Sequence, residues 1–346
     1  MRSAIVLAAG KGTRMKSSLN KVMHPVSNKP MIGHIVSSLR KAGVENIVVV
    51  VGHGAESVKE YLGDSVQYAL QEPQLGTGHA VMQAQCLKDL DGDTLILCGD
   101  GPCIQSETIE QAFAANENSE MTVLTALLPD GERYGRIVRN SKGDVEKIVE
   151  AKDCTPQQLE IKEINTGIFC FKNKLLFENL QEIGNDNAQN EYYLTDLVEI
   201  FNRKQLRVRA AVVSDPQETM GVNDRVDLAK AQKWMTRHEC ERHMRNGVTI
   251  VDPDTTYIDV GVQIGQDTVI YPNVMIQGDT VIGSNVTIYS NSFLRNAVIG
   301  DAAVIDSSKI VESSVGARTT IGPMSHLRNH TEIAEDCRIG NFVEFK

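Results

Sequence analysis

Lys11, Arg14, Lys16 and Lys21 crowd around a glycine turn, Gly10-Lys11-Gly12-Thr13-Arg14-Met15, that follows the apolar run Ala4 to Ala9. Glycines let backbone N–H groups come close to a ligand, because no Cβ stands in the way. Such N–H groups with Lys and Arg beside them suit phosphate oxygens. Eight basic residues and no acidic one lie between Met1 and Val44, in a chain whose net charge is −10. The turn is neither a G-x-x-x-x-G-K-[ST] loop nor a dinucleotide fingerprint, since Met15 stands where a third glycine belongs.

Further residues of this kind follow. Gln71-Glu72-Pro73-Gln74-Leu75-Gly76-Thr77-Gly78-His79 precedes a helical stretch, Ala80 to Cys86. A helix N-terminus with free N–H groups suits an anion or a base edge, although the segment taken by itself reads as a simple strand-to-helix connection. Asp100 follows the buried strand Thr94 to Cys98, where α/β sheets place ligands; it can also be a turn or cap residue. Glu163 to Phe169 reads as a strand with polar residues, Asn165 among them, where apolar ones are expected. Buried sugar hydroxyls need such partners. Glu150 closes a hairpin formed by Tyr134–Val138 and Val145–Val149, with a surface ion pair to Lys147 or Lys152 as its plain alternative. Asn223 reads as a helix N-cap. His238 and His243 are five apart, not the four of a zinc-binding helix, and diverge.

These residues need a framework. Met31, Ile35 and Leu39 mark an amphipathic helix stopped at Gly43. Strands at Asn46–Val51 and Val66–Leu70, with a helix over Glu56–Leu62, alternate in the manner of a parallel sheet covered on both faces. Glu107–Ala115 is a helix, Met121–Leu127 a strand, Asn190–Asp196 the start of a helix, and Val208–Val213 a strand. A long helix runs over Val226–Arg245. The expected divisions are a catalytic domain at 1–226, a linker helix at 227–247 and a repeat domain at 248–346. Acidity argues against nucleic acid as a partner, no apolar run spans a membrane, and seven scattered cysteines read as reduced thiols in a cytoplasmic protein.

The tail follows a different rule. Ile264, Ile270, Ile276, Ile282, Ile288 and Leu294 recur every six residues; after a one-residue slip come Ile299 and Ile305, then Val315, Ile321, Leu327, Ile333 and Ile339. Small residues often follow, as at Gly265, Gly283 and Gly300. A six-residue period marks a parallel β-helix.

L-x-x-G-x-G-T-R-M with Lys21 seven residues beyond Arg14 resembles the signature of the sugar-phosphate nucleotidyltransferases. Q-x-x-x-L-G-T-G-H, G-D, Y-G-R-I, V-E-x-K-D, E-I-N-T-G and G-V-N resemble further segments of that family, and the hexapeptide tail resembles the left-handed β-helix of its bifunctional uridylyltransferase/acetyltransferases. The resemblance implies an α/β, Rossmann-like domain with a mostly parallel sheet, followed by a left-handed parallel β-helix. It implies transfer from UTP to N-acetylglucosamine 1-phosphate, releasing pyrophosphate, in cell-wall biogenesis. It assigns Leu7, Ala8, Ala9 and Gly10 to the nucleotide and Gln71, Gly76 and Thr77 to uracil. Gly135, Glu150 and Asn165 fall to the sugar, Asp100 and Asn223 to Mg²⁺, and Arg14 and Lys21 to catalysis. It also implies a homotrimer. Arg328 and Lys346 match contacts of the family's acetyltransferase half; since the chain stops inside a repeat, that half is expected to be incomplete and inactive. The family's Val or Thr and Pro-Leu after G-D are here Gly101-Pro102-Cys103, and its Pro-Gly after the arginine is Asn329-His330.

Overall fold

A computed structural model of the chain describes residues 1–131, 133–187 and 189–345. Two compact units are present: Met1–His24 with Lys29–Ala231, and Pro25–Asn28 with the chain from Gln232 onward.

The first unit is built on a nine-stranded sheet. In chain order its elements are β1 (Arg2–Ala8), α1 (Met31–Lys41), β2 (Asn46–Val51), α2 (Ala55–Leu62), β3 (Gln67–Leu70), α3 (Thr77–Met82), β4 (Asp93–Cys98), α4 (Ser106–Asn116), β5 (Met121–Leu127), β6 (Arg136–Arg139), β7 (Val145–Val149), α5 (Pro156–Leu159), β8 (Glu163–Lys172), α6 (Asn173–Asn179), α7 (Leu197–Arg203) and β9 (Val208–Val212). Helix α8 (Arg225–Arg245) follows.

The main path of the sheet runs β9-β5-β8-β4-β1-β2-β3, and the β6–β7 hairpin joins through β8. The β1–β2, β1–β4, β2–β3 and β5–β9 pairings are parallel, whereas β8 is antiparallel to both β4 and β5. Alternation along β1 sets the layers. Ala4, Val6 and Ala8 join Ile32, Ile35 and Leu39 of α1 and Phe113 of α4 in one core. Ile5 and Ala9 join Val81 of α3 and Leu197 and Phe201 of α7 in the other. A strand with both faces covered needs a continuous apolar run, which is what Ala4 to Ala9 supplies. The chain leaves β1 for β2 on one side and reaches β4 on the other, so the strand order reverses at β1. The crevice at the carboxyl ends of β1 and β4 is where such sheets hold ligands.

The second unit is a parallel β-helix of three sheets, with six, six and five strands. Its coil is read from the register: Val269 pairs with Thr287 and Met275 with Phe293, each eighteen residues on. That is three rungs of six. Ile270, Ile276, Ile288, Leu294, Ile305 and Ile321 are fully buried inside it. Ile310 is also fully buried, an inward position that a six-residue count passes over. The slip is three five-residue rungs, Leu294 to Ile299, Ile305 to Ile310 and Ile310 to Val315, and the pairing offset falls to sixteen at Phe293–Lys309 before recovering. The glycines of the repeat reflect tight stacking: a Cβ on Gly265 would lie 2.5 Å from Ser284 of the next coil. Among the described residues, no helix is long and apolar enough to cross a membrane.

Candidate active site

The first unit brings Arg14, Lys21, Asp100 and Asn223 together, from segments as much as 209 residues apart. Lys21 Nζ donates to Asp100 Oδ2 and, at 3.1 Å, to Asn223 Oδ1. Arg14 donates to the same Asn223 oxygen at 2.8 Å. The loop after β1 is shaped for this. Gly12 has φ of 59°, and a Cβ there would lie 2.5 Å from Lys21 Cβ. Thr13–Met15 then form a 3₁₀ turn that carries Arg14. Gly99 N–H donates to Leu7 O at 2.8 Å, binding the end of β4 to β1, and Asp100 follows at the sheet edge.

Asn223 is not the helix cap its position suggests. Asp224 Oδ1 accepts from the N–H groups of Val226 and Asp227 at 2.8 and 3.0 Å and so caps α8. The Asn223 side chain is thereby left for the cluster. Asp227 accepts from Asn223 N at 3.1 Å and from Arg133 at 2.7 Å, which fixes the turn. Val222 N–H donates to the Asp100 carbonyl at 2.8 Å, tying the two oxygen-bearing segments together through backbone.

Both oxygens converge on one cation, the Lys21 ammonium. A cationic group thus already stands between a carboxylate oxygen and an amide oxygen, and this donor pair suits a hard divalent ion that takes its remaining ligands from phosphate and water. Among the described residues no group of three or more His, Cys, Asp or Glu could hold a metal without such help.

Two clefts hold the predicted nucleotide and sugar residues, and a third, lined by Asp100, Gly101, Gly221 and Asn223, opens at the cluster itself. The first, of roughly 880 Å³, is lined by Leu7, Ala8, Ala9, Gly10, Lys21, Gln71, Gly76, Thr77 and Asp100. Helix α3 begins at Thr77, earlier than the expected Ala80, so Gly76 and Thr77 sit at its first turn. Gly76 has φ of 106°, and a Cβ there would meet the Tyr192 backbone at 2.7 Å. Gln71 Nε2 donates to Gly76 O at 3.0 Å, and Thr77 Oγ1 accepts from Leu194 N–H at 3.0 Å.

The second cleft, of roughly 620 Å³, is lined by Gly135, Glu150, Asn165, Thr166 and Thr195, and shares Leu7, Thr77 and Cys98 with the first. The polar residues of β8 have a structural cause. Its register against β5 breaks between Asn165 and Ile168, and Asn165 Oδ1 accepts from Gly167 N–H at 2.9 Å. That bulge re-aims Asn165 and Thr166 toward the cleft. Asn165 N–H also donates to Gly135 O at 2.8 Å.

The ion-pair alternative for Glu150 is not what is found: Lys152 donates to Gln189 at 2.9 Å, and the Glu150 carboxyl faces Thr195. Burial, with Asp153 and Asp196 nearby, raises the Glu150 carboxyl above its ordinary value, a rise that the polar Thr195 beside it opposes. Asp196 is pushed up to about 6 by burial and by the charges of Glu199 and Asp153. The folded chain therefore takes up a proton at Asp196 that the unfolded chain does not, and stability falls as pH rises from about 4 through 6. Asp196→Asn should melt higher than the parent at pH 7.5, with the gap closing below about pH 4. A gap constant across that range in thermal melts would refute this electrostatic account.

Gly101 makes room rather than trouble. A Cβ on it meets nothing within 4 Å, and the Asp100–Val222 backbone bond holds the segment. Gly101→Ala is expected to raise stability by about 0.4–1 kcal/mol, with turnover within about threefold, read from denaturant melts and steady-state rates.

Thr195, Tyr134, Cys98 and the Arg133–Asp227 pair were not singled out from sequence. The signal for Thr195 was its place in Glu191-Tyr192-Tyr193-Leu194-Thr195-Asp196, a polar-aromatic stretch before α7. That helix starts at Leu197, after a 3₁₀ turn over Leu194–Asp196. Burial pushes the Cys98 thiol up to about 12. All seven cysteines are free. In the β-helix, Arg328 is exposed and paired with Glu344; Lys346 lies outside the described residues.

Residues 3–216 match the nucleotidyl transferase family, and residues 253–345 match the GMPPB C-terminal domain. The chain is 50% identical over 348 aligned residues to the bifunctional protein GlmU of Latilactobacillus sakei, covering all of this chain and 75% of that protein. It is 49% identical to the bifunctional protein GlmU of Halalkalibacterium halodurans and to that of Listeria monocytogenes, covering 76% of each. By this similarity along its whole length, and by the nucleotidyl transferase domain that carries the cleft, the chain belongs to the bifunctional GlmU family of nucleotidyl transferases.

Proposed function

We propose that the first unit is a sugar-1-phosphate uridylyltransferase, joining UTP to N-acetylglucosamine 1-phosphate to give UDP-N-acetylglucosamine and pyrophosphate. The observation that carries this reading is the meeting of Arg14, Lys21, Asp100 and Asn223 where a glycine-turned cleft adjoins a second cleft lined by Glu150 and Asn165.

In this reading UTP lies over Leu7 to Gly10, with uracil against Gln71, Gly76 and Thr77. The sugar lies against Gly135, Glu150 and Asn165. An oxygen of the sugar phosphate attacks the α-phosphorus in line. The bond from that phosphorus to the bridging oxygen of the β-phosphate breaks, and pyrophosphate leaves. Little covalent chemistry falls to the protein, so catalysis is alignment and charge neutralisation. Arg14 neutralises the leaving pyrophosphate and Lys21 the reacting phosphates. Enzymes of this family use a divalent metal; we assign Mg²⁺, held by Asp100 and Asn223, where it would neutralise phosphate charge and keep the two substrates' phosphates in register.

We propose also that the chain assembles as a homotrimer through its β-helix. Tyr257 and Met275 are exposed neighbours on one sheet and Val281 and Val298 on another, apolar surface that a partner copy would cover. Light scattering giving the monomer mass at micromolar concentration would contradict it. The test of the substrate assignment is product identity: mass spectrometry after incubation with UTP, ATP or dTTP and each of several sugar 1-phosphates. The reading expects UDP-N-acetylglucosamine as the dominant product, and preference for another nucleotide or sugar would overturn it.

A further inference from the structure

We propose that His79 is a positioning residue for nucleotide selection: its Nδ1 holds the Gln71 carboxamide with the oxygen turned toward the base. The inference rests on the reading that the base lies against Gln71.

Gln71 is buried just past β3, and its backbone N–H donates to Val51 O at 2.8 Å. One end of its carboxamide lies 3.0 Å from the Gly76 carbonyl oxygen and 3.2 Å from His79 Nδ1. A carbonyl oxygen only accepts, so the end facing Gly76 is the NH₂ group. That nitrogen has two hydrogens. One goes to Gly76 and the other faces His79 Nδ1. Gln83 Nε2 approaches the other ring nitrogen at 3.3 Å but already donates to the His79 carbonyl at 2.9 Å, so the ring's one lone pair serves Gln71 at Nδ1 and the ring proton sits on Nε2.

With both hydrogens used, Oε1 is the remaining polar atom of the side chain. It has no protein partner among the described residues, yet it is not sealed from solvent, and Gln71 lines the nucleotide cleft. Uracil offers N3–H, a donor, to such an acceptor. Cytosine offers a bare N3, so two acceptors would face each other. A flipped carboxamide would reverse that preference. Gly76 O alone is a shared lock, because it also accepts from Ala80 N–H at 3.1 Å. His79 supplies the second lock. Its own carbonyl accepts from Gln83 Nε2 at 2.9 Å, and its ring packs 6.3 Å from that of Tyr192.

The test is steady-state kinetics of the full chain with UTP and with CTP. His79→Phe keeps a ring without the acceptor. It is expected to raise KM for UTP about tenfold, to leave kcat within about threefold, and to cut the UTP-over-CTP ratio of kcat/KM about tenfold, as befits one hydrogen bond. His79→Asn, whose Oδ1 can stand in for Nδ1, should restore the ratio. An unchanged ratio in His79→Phe, or equal losses with both nucleotides, overturns the proposal. Gln71→Ala separates the two readings. If it alters the ratio while His79→Phe does not, only the positioning role falls; if neither alters it, the assignment of the base to Gln71 falls as well.

Discussion

Asp100→Asn is expected to lose about 10²–10³ in turnover while folding normally. The carboxylate lies at the carboxyl end of β4, beside the point where the strand order reverses. Its backbone carbonyl is anchored by Val222 N–H, and that bond survives the substitution. What is lost is a negative charge facing Lys21 and the stronger of the two oxygen donors that converge there. An amide oxygen at the same place can still align, but it holds a divalent ion and a charged lysine far less well. Stopped assays at saturating substrates, with a far-UV spectrum as the folding control, would check this. Turnover within tenfold of the parent would show that Asp100 is not at the reacting centre.

Gly12→Ala is expected to cost about 10² in turnover through displacement alone. The residue contacts no substrate in the proposed reading. Its φ of 59° is strained for alanine, by about 1–2 kcal/mol, and the new methyl would lie 2.5 Å from Lys21 Cβ. Lys21 cannot rotate its own Cβ away, so the backbone of one segment must shift. Either shift moves Lys21 or Arg14 relative to Asn223. A variant that kept activity within threefold would show that the loop tolerates movement and that alignment of these cations matters less than argued.

What the sequence disclosed depended on how each contact is made. The turn after β1 was legible because close backbone approach demands glycine, and that demand leaves a local pattern. Asn165 was legible as a polar residue in an apolar strand, although the bulge that turns it was not. Asn223 was ambiguous between cap and ligand because both roles want the same side chain; only the Asp224 contacts separate them. The Arg133–Asp227 pair and the Glu150–Thr195 contact left no pattern, since their partners are far apart in sequence and meet only in the fold. In the tail a fixed six-residue count followed the stacking rule until five-residue rungs moved Ile310 inward ahead of its expected place. Periodicity reports the average coil, whereas burial follows each corner.

The most direct measurement of the central claim is pyrophosphate release from UTP plus N-acetylglucosamine 1-phosphate, run with Mg²⁺ and then with EDTA. The account predicts release matched by UDP-N-acetylglucosamine, abolished by the chelator and absent with glucose 1-phosphate. No release from folded protein with any nucleotide and sugar phosphate would contradict it.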